Sequence, residues 1–306
     1  MVITDVKTHS RIFDPAIEPR SNENLATIFR NAGRRTVTIT ARAYGLENMV
    51  NGVVEGIKKN YIDDIGDLRR RYREKTENNA KISFHELITG ISLSKSNIGY
   101  CWDYIRIFPK HEHNTNLTIF PDFVTNVIIN NKLLLVEYHS LMIGYRTNSQ
   151  KYRIESVRRD TEQWSKSIDG NNIYTIFAGD ITPFRLQAEF DINTSNFADL
   201  YLEKGDLPQV LRKEKGYKKY NYGKRTLEND RKELIKELKF FGIDFTDDPK
   251  IVKYYGIMKK IIKDIVKRKK TQKIEKEIFF GMMENYTKNQ IEKRLFESPY
   301  CNEPRI

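Results

Sequence analysis

The residues best suited to chemistry lie in "NLTIFPDFVTNVIINNKLLLVEYHS" at 116–140, where Pro121-Asp122 heads one apolar run and Glu137-Tyr138-His139 ends the next. Both runs are short and rich in β-branched residues, so they read as strands. Asn130-Asn131 between them suits a two-residue hairpin turn, because asparagine tolerates positive φ. With that turn, paired positions sum to 261, which sets Asp122 opposite His139 and Val124 opposite Glu137. Opposed residues share a face, as do residues two apart on a strand. Asp122, Glu137 and His139 are therefore expected on one side, near one end of the hairpin. A three-residue loop would break that alignment.

Two carboxylates converging at a sheet end repel each other unless a cation lies between them. The usual answer is a hard divalent ion such as Mg²⁺, with Mn²⁺ as a substitute, held by oxygen ligands. Such an ion polarises a phosphoryl oxygen, stabilises the leaving oxygen and lowers the pKa of an attacking water, which is the chemistry of phosphodiester hydrolysis. Upstream, Glu86 is placed to add a third carboxylate from a helix above the sheet. It also stands three residues after Ser83, a capping-box spacing that gives it a purely structural role as well.

The elements that must position these groups follow in order. "RRTVTITARAYG" (34–45) alternates as a strand does, and a helical stretch covers 47–75, its end "DLRRRYREKT" reading as an exposed basic tail. "KISFHELITGISLSK" (81–95) reads as a helix capped by Ser83. Strands are expected at 100–108, 120–129 and 133–140. At 152–168, Ile154, Val157, Thr161, Trp164 and Ile168 form one stripe of an amphipathic helix, and "NNIYTIFAGD" (171–180) is a further buried strand. This order predicts an α/β core, a mixed central sheet with flanking helices whose last strand is reached by a helical crossover. A turn-rich, basic linker is expected at 201–225 and helices at 226–240, 248–270 and 272–296.

Helix with Glu86, strands, "PD", then "VEYH", helix and strand is similar to the PD-(D/E)XK nuclease superfamily, over residues 81–180. The resemblance implies a restriction-endonuclease-like core in which Asp122 and Glu137 are metal ligands, with Glu86 an accessory one and the Tyr138 carbonyl completing the site. It also implies that the "RRDTEQW" helix carries an assisting residue, for which Gln163, Lys166 and Arg159 are the candidates. The motif departs from the family at its third position, where His139 stands in place of lysine. A histidine there can accept a proton or ligate metal, and Lys166 is the alternative as a migrated lysine.

The charge agrees with a polyanionic partner. The chain of 306 residues carries a formal net charge of +12, and residues 211–306 hold 26 basic against 15 acidic side chains. Lys218, Lys219, Lys224 and Arg225, with Lys267, Arg268, Lys269 and Lys270 on a basic helix, are the candidate contacts to double-stranded DNA. The expected domains are an N-terminal segment (1–75) that flanks the core or contacts DNA, a nuclease-like core (76–200), the linker (201–225) and a basic, mainly helical C-terminal domain (226–306). The reading is a metal-dependent endonuclease, site-specific in the manner of restriction or homing enzymes. The rival is a catalytically decayed nuclease-fold DNA-binding protein or subunit of a DNA-processing complex. Cutting both strands with one site per chain would call for a homodimer or a heteromeric partner subunit.

Other features carry less. His111, Glu112 and His113 sit among turn formers and read as a loop. His85 reads as a surface or partly buried helical histidine. Cys101 and Cys301 have no metal-ligand spacing. No apolar segment approaches the roughly 20 residues needed to span a bilayer, so a cytoplasmic location without membrane contact is expected.

Overall fold

The computed structural model describes residues 41, 45–80, 82–105, 121–139, 173–179, 200–203, 209–212, 216–219 and 224–297. Its elements are α1 (Leu46–Lys59), β1 (Tyr61–Ile62), α2 (Ile65–Glu77), α3 (Phe84–Lys95), β2 (Tyr100–Trp102), β3 (Phe123–Ile129), β4 (Lys132–His139) and β5 (Ile173–Gly179). They continue with β6 (Leu200–Glu203), β7 (Gln209–Arg212), β8 (Gly216–Lys219), α4 (Lys224–Phe240), α5 (Pro249–Val266), β9 (Thr271–Lys273) and α6 (Lys276–Glu297). The chain is α/β with a mixed sheet flanked by helices.

The strands lie side by side in the order β1 to β8, and β9 joins β3 where β2 leaves off. Pairing is antiparallel from β1 to β4, parallel from β4 through β6 and antiparallel again to β8. A parallel neighbour for β4 is what the expected crossover requires; the amphipathic helix expected at 152–168 lies outside the described residues.

The hairpin turn is the expected one. Asn130 and Asn131 have φ of 51° and 64°, the left-handed pair of a type I′ turn, and Ile129 pairs with Lys132. The register then changes, with Val124 facing Leu135 and Phe123 facing Val136. Two extra β3 residues are taken up between Val124 and Ile128, so positions near Asp122 sum to 259, which sets Asp122 against Glu137 rather than His139. A shift of two keeps every side chain on its face.

Buried polar groups hold this bulge. Thr125 Oγ1 donates to the Leu134 carbonyl at 3.0 Å, and Asn126 takes the Gly99 N–H at 3.0 Å while its amide donates to the Ile274 carbonyl at 2.9 Å. Gly99 is required at that approach, since a Cβ there would overlap the Tyr61 hydroxyl.

The core lies between the sheet and helices α3, α4 and α5. Leu87, Ile88, Ile91 and Leu93 of α3 are buried with Tyr100, Trp102, Phe123 and Val136 of the sheet and with Tyr254, Ile257 and Ile261 of α5. Burying each such aliphatic side chain stabilises by about 1.5–3 kcal/mol. The Tyr254 hydroxyl and Thr89 Oγ1, 3.0 Å apart, join α5 to α3.

Several expectations change. The strand expected at 100–108 ends at Trp102, because Asp103 turns into the left-handed region at φ 48°. The expected helix 47–75 is two helices separated by β1. Of the strand expected at 34–45, only Ala41 and Gly45 are described, and Ala41 is helical. The expected linker carries β7 and β8. The basic helix ends at Val266, and 267–270 form a turn tied by Asn130 N–H to the Lys270 carbonyl at 3.1 Å and Thr271 N–H to the Arg268 carbonyl at 3.0 Å.

Two compact units result, one holding β1 to β9 with α2, α3, α4 and α5, the other α1 and α6. α4 and α5 therefore belong with the sheet rather than with a separate C-terminal domain, while α1 packs on α6 in the second unit. Among the described residues no helix is long and apolar enough to cross a membrane.

Replacing Asn126 by Ala strands a buried N–H and a buried carbonyl. The expected cost is about 2–4 kcal/mol in chemical denaturation; a loss below about 0.5 kcal/mol would show that the bulge does not depend on this side chain.

Candidate active site

Asp122 stands one residue before β3 and Glu137 near the end of β4, where the changed register brings them opposite each other. The Tyr138 N–H donates to Asp122 Oδ2 at 2.6 Å, and the Asp122 N–H donates to Glu137 Oε2 at 3.0 Å. Each carboxylate is thereby anchored by backbone of the other strand.

Glu86 arrives from above. Ser83 caps α3 by accepting the His85 N–H at 3.2 Å, and Glu86 stands in the first turn at the capping-box spacing, where the Ser83 backbone pulls its carboxyl down. The same carboxylate lies within electrostatic reach of Asp122. Burial, with repulsion from Asp103, pushes the Glu86 carboxyl up to about 7, against the opposing pull of Lys75. Burial, then the neighbouring Glu86, hold Asp122 well above the usual carboxylate range, with the Tyr138 N–H working against them. The capped first turn of α3 thus carries a member of the site.

Two members are new. Lys75, near the end of α2, is buried, with Nζ 3.2 Å from Asp103 Oδ2 and 4.2 Å from the centre of the Trp102 ring. Asp103 follows β2, and its N–H donates to the Asp122 carbonyl at 2.7 Å. The signal for Lys75 was available: it stands seven residues after Leu68, which is fully buried, and so lies on the inward face of the helix. The basic charge of the segment points instead to an exposed tail. Asp103 had no such signal, since its place depends on the strand ending early.

Beside the carboxylates is an aromatic cluster. The His85 ring stacks on Tyr138 with centroids 5.0 Å apart, and Tyr254 meets His85 edge-on at 4.7 Å. His85 is thus a packed residue rather than a surface one.

The structure brings Asp122, Glu137 and Glu86 to one sheet end. His139 is the last residue of β4, and its side chain lies outside the described part. Gln163, Lys166, Arg159 and the 111–113 segment lie outside the described residues. So do the side chains of Lys218, Lys219, Lys224 and Arg225, whose backbone falls in β8 and the start of α4. Lys267, Arg268, Lys269 and Lys270 are not gathered at the site. They sit by the Asn130 turn, at the other end of β3, about 20 Å along the strand.

The donor set suits a hard cation, being carboxylate oxygens brought together at one sheet end. Among the described residues no three carboxylate, imidazole or thiol groups converge closely enough to cage an ion. The fit is therefore to an open site, two carboxylates with water and substrate oxygens completing the shell, which is how Mg²⁺ is commonly held.

The raised carboxyl of Glu86 sets a pH dependence. Between its ordinary 4.5 and about 7 the folded chain binds more protons than the unfolded one, so metal-free stability falls as pH rises through that window. Glu86→Gln is expected to match the wild type near pH 4.5 and to exceed it by about 3 kcal/mol at pH 8 without divalent metal. Parallel denaturation curves check this, and an unchanged difference across the range would contradict it.

Comparison with protein-family models, curated proteins and solved structures finds no match for this chain.

Proposed function

We propose that this chain is a metal-dependent endonuclease that hydrolyses phosphodiester bonds in DNA. The observation that carries the reading is the pair Asp122 and Glu137, locked together by backbone hydrogen bonds beside Glu86, whose carboxyl burial raises. Asp122 and Glu137 would hold Mg²⁺ or Mn²⁺, with Glu86 accessory. The bound ion would supply charge stabilisation at the phosphate and a more acidic water.

In the reaction a water oxygen adds to phosphorus as one P–O ester bond breaks, leaving a phosphomonoester and a hydroxyl. The water gives up a proton and the departing oxygen takes one. His139, two residues beyond Glu137 on β4, is the proton acceptor this reading assigns. The net charge of +12 supports a nucleic-acid partner. The chain outside the sheet offers surface for recognition, which favours site-specific cleavage of the restriction or homing kind.

The test is nicking and linearisation of supercoiled DNA with Mg²⁺ or Mn²⁺. The wild type is expected to cut only with metal, and Asp122→Ala and Glu137→Ala to lose at least about 100-fold in rate. Cleavage that survives both substitutions would mean that these are not the catalytic residues. Salt-sensitive binding without cleavage under either metal would favour a DNA-binding protein that has lost catalysis.

A further inference from the structure

The acidic sheet end contains one described ammonium whose charge acts on both Glu86 and Asp122, that of Lys75. Its surroundings are unusual for a structural ion pair. The Lys75 side chain is 10% exposed while that of its partner Asp103 is 38% exposed, so the cation is the more deeply placed of the two. Burying an ammonium is costly unless it is fully paired. An ammonium has three donors, and Asp103 accepts one of them, with the Trp102 ring beneath the nitrogen.

The partner is itself held at a cost. Asp103 is a non-glycine residue at φ 48°, fixed there by its N–H on the Asp122 carbonyl. Such conformations persist where the surroundings over-determine them, and they gather at functional sites. The strained residue links the lysine directly to the chain segment that carries Asp122.

We propose that Lys75 is a catalytic residue of this site, presenting its ammonium to the non-bridging oxygens of a phosphate held at Asp122 and Glu137, with Asp103 as its positioning residue. The role is electrostatic. Lys75 forms no bond to phosphorus and keeps its proton, stabilising charge that gathers on the phosphoryl oxygens as water adds. The inference rests on the nuclease reading and adds the cation that the reading lacks.

The experiment is single-turnover nicking of supercoiled DNA by the full chain with Mg²⁺, alongside the Mg²⁺-induced rise in melting temperature. Lys75→Met, close in shape, is expected to cut at least about 100-fold more slowly while keeping that rise. Lys75→Ala leaves room for a small amine. Ethylammonium is expected to restore its rate at least about tenfold, and tetramethylammonium at the same ionic strength is not. Asp103→Asn is expected to slow cleavage about tenfold.

A Lys75→Met protein that cuts within about threefold of wild type would overturn the assignment. So would loss of cleavage together with loss of the Mg²⁺ response, or an Ala variant that ethylammonium does not restore. A wild type that cuts nothing would instead overturn the nuclease reading, and this inference with it.

Discussion

Carboxylates buried side by side repel, and neither ionises readily once water is removed. The sheet end nevertheless gathers Asp122, Glu137, Glu86 and Asp103, and what makes this tenable is the exchange between Asp122 and the Glu137-Tyr138 backbone. The Tyr138 N–H on Asp122 and the Asp122 N–H on Glu137 give both carboxylates a fixed donor and a fixed distance. That exchange exists only because β3 absorbs two extra residues. Without the bulge, the turn at Asn130-Asn131 would set Asp122 against His139. The polar clamp around Asn126, remote from the carboxylates, is therefore part of how they are placed.

The helices complete the arrangement from the other direction. α3 delivers Glu86 from its first turn, just past the Ser83 cap, so the start of the helix also loads the site with charge. α2 delivers Lys75 along the face that buries Leu68. α5 backs α3 through Tyr254 and its contacts with Thr89 and His85. α5 buries its apolar face, with Ile257, Ile261 and Ile265, in the core.

How much was legible in the sequence follows from the range of each cause. The hairpin, its asparagine turn and the shared face of Asp122 and Glu137 are local or depend on strand alternation, which a shift of two leaves intact. The capping box was equally local. The bulge depends on Asn126 meeting Gly99 and Ile274, partners distant in sequence, and could not be read from the strand itself. Lys75 was hidden by composition, since it ends a basic stretch with arginines at 69–71 and 73 and only its spacing from Leu68 marks it as inward. The break after Val266 was missed for the same reason as the bulge: the turn at 267–270 is tied to Asn130, far away in the chain. Helix propensity alone gave no reason to stop there.

The central claim is that the carboxylates at this sheet end form one site for a hard cation. The most direct test is calorimetric titration of Mn²⁺ into the metal-free chain and into Asp122→Asn. One binding event in the wild type, weakened at least about tenfold in the variant, is the predicted result. No binding, or equal affinity in both proteins, would contradict it.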